Sequence, residues 1–325
     1  MKTPISLIID DPAPIVSVYH AHARSPHTAD GRALVPTFPN TMLTQFCDII
    51  ERRGIRGKFS VVPMPGNKGD IVNGIDGVAE EDVREWLDIV KQRVMPLFTV
   101  GPEMLSHYLA VDIDTGAALP IRENEWSNQQ DRTTLIPYIT RALTLLKQVG
   151  IVAQGVTSPW NFGIEVEDEY TASVMQAVRD VNGFDTAWLF MRSLCGCANA
   201  KPWVEPAVTT GTLVAIPATT EDLFWQTIDS PRTDDAYVSA VADTLITADG
   251  TKGAILDVLN TGGYPVLLTH WQSLMSNGLG TGLRVLDEVG KRVATHLSDR
   301  VEWLSFAQIM AQVAADPTAY PKPTF

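Results

Sequence analysis

The sequence predicts an α/β fold, a single (β/α) barrel of seven or eight units, closed or nearly closed, spanning residues 1–325 as one domain. Three observations carry this. Short apolar runs that end in polar residues alternate with longer segments of helical period. No Pro/Ser-rich linker and no internal repeat divides the chain. The 21 Pro and 23 Gly collect in long loops, and in such barrels the loops after the strands hold the site.

The first apolar run, Ile5-Ser6-Leu7-Ile8-Ile9, reads as a buried strand and meets Asp10-Asp11-Pro12 at once. A long polar loop over 12–39 follows, carrying His20, His22 and His27. A loop of this length in a compact domain is usually functional, and a lid over the site is the expectation. Residues 41–53 have helical spacing at Met42, Phe46, Ile49 and Ile50, with Gly54 as the stop. Strand-like 57–63 and a Gly-rich loop over 66–78 precede a helix at 80–94, where Val83, Trp86, Leu87 and Val90 share one face. Residues 102–107 read as a further strand-to-loop element ending in His107. Asp131 opens a helix to Gln148, and residues 152–156 form a strand delivering Thr157-Ser158-Pro159-Trp160. Then come a helix at 167–181, strands at 185–190 and 213–216, and helices at 235–246 and 253–260. The strand at 265–270 ends in His270. A helix at 283–297, a strand at 301–304 and a helix at 305–314 complete the pattern.

Composition excludes several roles. The formal charge is −13 and the pI about 4.8, so no basic surplus exists to neutralise phosphates or an anionic membrane surface. No nucleic-acid or membrane partner is expected; a small-molecule or carbohydrate substrate is. The start of the chain is too short and too acidic for a secretory signal, which points to the cytoplasm. Cys47, Cys195 and Cys197 fit a reducing compartment. Cys195-Gly196-Cys197 lacks the second pair that a zinc site needs.

Carboxylates and imidazoles at the ends of separate strands suit a metal-assisted hydrolase. Successive strand side chains point to opposite faces, so adjacent Asp10 and Asp11 can take different jobs. Trp160, Trp225 and Trp271 each follow a strand end, where they could stack on a sugar or pack the rim.

The ordered set Asp10-Asp11, Phe59-Ser60-Val61-Val62-Pro63, the segment from Glu103 to His107, Thr157-Ser158-Pro159-Trp160 and Leu267-Leu268-Thr269-His270 resembles the polysaccharide deacetylase family and its β/α-barrel deacetylase and glycoside hydrolase relatives. The resemblance covers most of the chain. It implies Asp10 as general base, Asp11 and His107 as ligands of a divalent metal, usually zinc, and His270 as general acid. Ser158, Trp160, Trp225 and Trp271 become the substrate-binding candidates. The family carries a second metal histidine four residues after the first. Val111 stands there, so Asp112 is taken as the third ligand, with Asp114, His20 or His22 as substitutes. Thr157-Ser158 replaces the family's groove arginine. The implied activity is hydrolysis of an amide or ester, foremost deacetylation of a carbohydrate or related small substrate. Two other readings stay open: a metal-free glycosidase pairing Asp10 or Asp11 with Asp222, and a non-catalytic carbohydrate-binding barrel.

Overall fold

The computed structural model describes residues 2–21 and 25–323; His20 and His22 lie outside the residues it describes in full. The barrel strands are β1 (Thr3–Asp10), β2 (Gly57–Val61), β3 (Phe98–Pro102), β4 (Gly155–Thr157), β5 (Thr186–Phe190), β6 (Thr212–Ala215) and β7 (Val266–His270). A short β8 (Val301–Trp303) pairs with the first residues of β1.

The strands are parallel and fall into two sheets, ordered β7-β1-β2-β3 and β4-β5-β6. On one side a parallel bridge between Glu103 and Thr157 joins β3 to β4. On the other, the Thr219 amide donates to the Val266 carbonyl (2.9 Å), and the Val266 amide donates to Thr219 Oγ1 (2.8 Å). The result is a nearly closed barrel, as the alternation predicts.

Strand periodicity sorts β1 into two faces. Ile5, Leu7 and Ile9 join the core between strands and helices, while Ile8 packs in the barrel lumen with Trp188, Phe190, Val214 and Val266. Ser6 and Asp10 share the parity of Ile8. The outer layer includes α1 (Asn40–Arg53), α2 (Glu80–Ile89), α3 (Arg132–Gln148), α4 (Glu167–Asn182), α5 (Asp235–Leu245) and α6 (Thr281–His296). Asp131 caps α3 by accepting from the Thr133 amide. A final helix, α7 (Phe306–Ala315), starts with a Ser305/Gln308 capping box. Its Phe306, Ile309, Met310 and Val313 pack with the lumen side chains.

Two glycines make room in the lumen wall. A Cβ on Gly101 would stand 2.6 Å from the Trp188 ring, and one on Gly155 would stand 2.4 Å from it. Only glycine lets β3 and β4 pass beside the buried indole.

The sequence reading misplaces one strand. It puts the third strand at 102–107, whereas β3 is Phe98–Pro102 and residues 103–107 form the loop at its mouth. Prolines at both ends, Pro96 and Pro102, mask the apolar run between them. A hairpin (Leu109–Val111 with Ala118–Arg122) and a short helix (Glu123–Ser127) follow, neither of which the sequence reading anticipates.

Candidate metal and acid–base site

Asp10 and Asp11 end the central strand and do take different jobs, but a turn divides them as much as the pleat. Asp11 has φ +64°, in the left-handed region, so the chain turns sharply before Pro12. Asp10 faces the lumen. Its Oδ1 accepts from Lys58 Nζ, which also bonds Ser60 Oγ and Thr157 Oγ1 (2.7 Å). Lys58 is fully buried beside the Phe190 ring (4.4 Å). Burial pulls its pKa down while Asp10 and Glu103 oppose that pull.

Asp11 turns across the mouth to Glu103 and His107. Asp11 Oδ1 lies 3.0 Å from His107 Nε2, and His107 Nε2 lies 3.5 Å from Glu103 Oε1. Glu103 Oε2 also accepts the Asp11 amide (2.7 Å). Gln272 Nε2 donates to Asp11 Oδ2 (2.8 Å), which fixes that carboxylate's rotation. All three residues are buried, and their ligand atoms lie within 4.8 Å of one another.

The donor set fits a divalent cation. It offers two carboxylate oxygens and one imidazole nitrogen, the mixture that zinc and similar borderline metals accept. Ligands about 2.0–2.2 Å from a tetrahedral ion stand roughly 3.3–3.6 Å apart, close to the spacings here. Charge argues the same way. Three buried carboxylates, Asp10, Asp11 and Glu103, face one ammonium, Lys58. Fully ionised, they leave two negative charges uncompensated. Burial, then the charges of Asp10 and Asp11, push the Glu103 pKa well above the usual carboxylate range. A divalent cation would remove that cost.

The buried cluster brings Glu103, which the sequence reading does not single out as a ligand, beside Asp11 and His107, and does not include Asp112. The Asp112 carboxylate accepts the amides of Asp114 and Thr115 (both 3.0 Å) in the turn of the hairpin. Those bonds, Thr115 foremost, hold its pKa below the ordinary value. Neither Asp112 nor Asp114 belongs to the buried cluster. The usable spacing runs backward from His107: Glu103 stands four residues before it.

The loop carrying His107 is moulded from behind. Glu123, fully buried, accepts the amides of Leu105 (2.8 Å), Ser106 (3.0 Å) and His107 (2.9 Å), and the hydroxyl of Tyr138 (2.7 Å). Burial still raises its pKa. Met104 (φ +32°), His107 (φ +52°) and Trp160 (φ +49°) all adopt left-handed backbone around the site. Each such residue costs on the order of 1–3 kcal/mol, and strain of this kind collects where function fixes geometry.

His270 closes the opposite side of the mouth. Its Nδ1 bonds Asp222 Oδ2 (2.8 Å), and Asp222 also accepts Ser273 Oγ (2.8 Å) and the Phe224 amide (2.9 Å). Burial works against charging the ring. The Asp222 hydrogen bond and the charges of Asp11, Asp222 and Asp10 outweigh it and raise the pKa to about 9. The side chain remains 26% exposed, so it can exchange protons with a bound molecule.

Asp10, Asp11, Glu103, His107 and His270 all line one cavity of about 330 Å³. Of the predicted substrate contacts, Ser158, Trp160 and Trp225 line it too. Trp160 lies against His107 (ring centroids 4.4 Å), and Trp225 meets His270 edge-on (5.2 Å). Trp271 does not. It is 1% exposed, stacks on Phe38 (3.9 Å) and meets Phe46 and Phe59 edge-on, so it belongs to the aromatic core. The first residue of the helix after β7 turns outward, away from the lumen.

The chain superimposes on a presumed polysaccharide deacetylase of Mycobacterium smegmatis with a TM-score of 0.50, at 16% identity, covering 87% of this chain and 80% of that one. The fold is polysaccharide-deacetylase-like. A GH57-type branching enzyme of the archaeon Pyrococcus horikoshii matches with a TM-score of 0.54, at 10% identity, covering 96% of this chain and 70% of that one. No family model and no curated protein matches the sequence. Identities this low establish a shared barrel and leave the chemistry to the site itself.

Proposed function

We propose that this protein is a metal-dependent hydrolase of an amide or ester bond, a deacylase built on the deacetylase-like barrel. The observation that carries the reading is the buried Asp11–Glu103–His107 cluster, set between Asp10 on one side and the Asp222–His270 pair on the other. A divalent cation held by Asp11, Glu103 and His107, zinc being the expected one, supplies positive charge that polarises a carbonyl and makes water more acidic. Asp10 takes a proton from the attacking water, and the Lys58 ammonium bonded to its Oδ1 aims it. His270 is protonated at neutral pH and gives its proton to the leaving nitrogen or oxygen. Asp222 orients that imidazole through Nδ1, which leaves Nε2 toward the cavity.

The glycosidase alternative would need Asp222 as one of two free carboxyls. Its Oδ2 is committed to His270 and Ser273, which favours an orienting role. Carbohydrate as the acyl carrier rests on the family resemblance alone.

Metal content by elemental mass spectrometry tests the reading. About one zinc per chain is expected in wild type and in Asp112→Ala, and at least a tenfold loss of affinity in Glu103→Gln and Asp11→Ala. Retention of metal by Glu103→Gln together with its loss from Asp112→Ala would overturn the assigned ligand set.

A further inference from the structure

We propose that the cavity takes a compact molecule with an apolar body, an N-acyl or ester derivative of an aliphatic or aromatic group, rather than a hydroxyl-rich saccharide. The proposal rests on the hydrolytic reading for the bond that is cut, but not for what fills the cavity.

Size is the first argument. About 330 Å³ is near the lower end for small-molecule pockets, which run from about 300 to 1,000 Å³. The walls are the second. Val18, Phe190, Met191, Leu268, Trp160 and Trp225 present carbon to the space beside the acid–base groups. Val18 reaches the cavity from a short helix (Ser17–Ala21) after β1, and the chain near residues 33–35 is tied to the segment that follows β7. There the Val35 amide donates to Asn277 Oδ1 (2.8 Å), and Asn277 Nδ2 donates to the Ala33 carbonyl (3.1 Å).

The polar side chains of the wall favour the same molecule. A buried sugar brings several hydroxyls, and each must find a protein partner or be left unsatisfied. Among the described residues, most polar wall side chains outside the cation cluster have protein partners, and His270 turns Nε2 toward the cavity. Ser158 Oγ is bonded to Tyr170 OH (2.8 Å), Gln272 to Asp11 (2.8 Å), Asp10 to Lys58 and Arg192 to Glu167. Apolar walls with a few fixed polar groups at one end describe a pocket that orients a small apolar molecule by its one reactive carbonyl.

The test is a pair of titrations by calorimetry on the zinc-loaded full chain carrying Asp10→Asn, which slows turnover. The probes are N-benzylacetamide and N-acetylglucosamine. N-benzylacetamide is expected to bind at least tenfold more tightly, and Trp225→Ala in the same background to lose about tenfold of that affinity. Equal or tighter binding of the sugar overturns the proposal, as does the absence of binding by both. Chelator-treated wild-type protein, titrated the same way, covers the case in which Asp10→Asn does not fold. Acetate release from N-benzylacetamide by zinc-loaded wild type separates the two claims. Tight binding without release removes the hydrolytic reading and leaves the cavity assignment standing.

Discussion

Glu103 and His270 show how single residues take their chemistry from their neighbours. Glu103 would be an ordinary carboxylate at a strand end. Beside Asp10 and Asp11, in a buried mouth, its pKa is pushed well above the usual carboxylate range. His270 is the converse. Asp222, with Asp11 and Asp10 behind it, raises its pKa from 6.5 to about 9. A pKa raised in the folded state stabilises the fold fully below about pH 6.5, and that contribution fades as pH rises through about 9. The acid form follows the same curve. The alkaline limb of kcat/KM is therefore expected near pH 9 or somewhat below, because a bound cation offsets the Asp11 charge. In Asp222→Asn the limb should move down toward 6.5. A pH–rate profile in which the limb stays put in that variant would remove His270 as the acid.

At the scale of elements, the hairpin and short helix after β3 exist to hold one loop. Glu123 opens that helix and collects three consecutive backbone amides from residues 105–107. Each amide would otherwise be buried without a partner, at about 1–3 kcal/mol. Glu123→Leu is expected to unfold at a lower temperature and to bind zinc about 10–100-fold more weakly, as when other supports of metal ligands are removed. Glu125→Ala, on the exposed side of the same helix, should change neither. Zinc affinity unchanged in Glu123→Leu would show that His107 keeps its place without this support.

At the scale of the molecule, the lumen is divided by height. The α7 side chains and Trp188 fill its apolar part, and Lys58, Ser60, Thr157 and Asp10 form a polar layer within it. Phe306→Ala should cost about 3–5 kcal/mol in denaturant unfolding, as large-to-small core changes do. Zinc stoichiometry should be unchanged, since the proposed ligands sit on the loops above. Lys58→Met should behave differently. Removing one partner of a buried ion pair costs about 3–5 kcal/mol, and it leaves Asp10 without the cation that aims it, so activity should fall with stability. Loss of stability without loss of activity in Lys58→Met would mean that Asp10 is not the base.

The sequence by itself determined the α/β alternation, the order of the units and the positions of Asp10, Asp11 and His270 at strand ends. Those features are local: period, apolar runs and the residue types that end them. Only the tertiary structure decided which side chains meet. Glu103 and Asp112 both lie within five residues of His107, yet Glu103 stays at the mouth of β3 while the hairpin carries Asp112 into an exposed turn. Trp160 and Trp271 both follow strand ends, yet a left-handed residue turns one toward His107 while the first helical turn points the other into the core. One residue of backbone conformation redirects a side chain by a whole face, and neither period nor spacing records that choice.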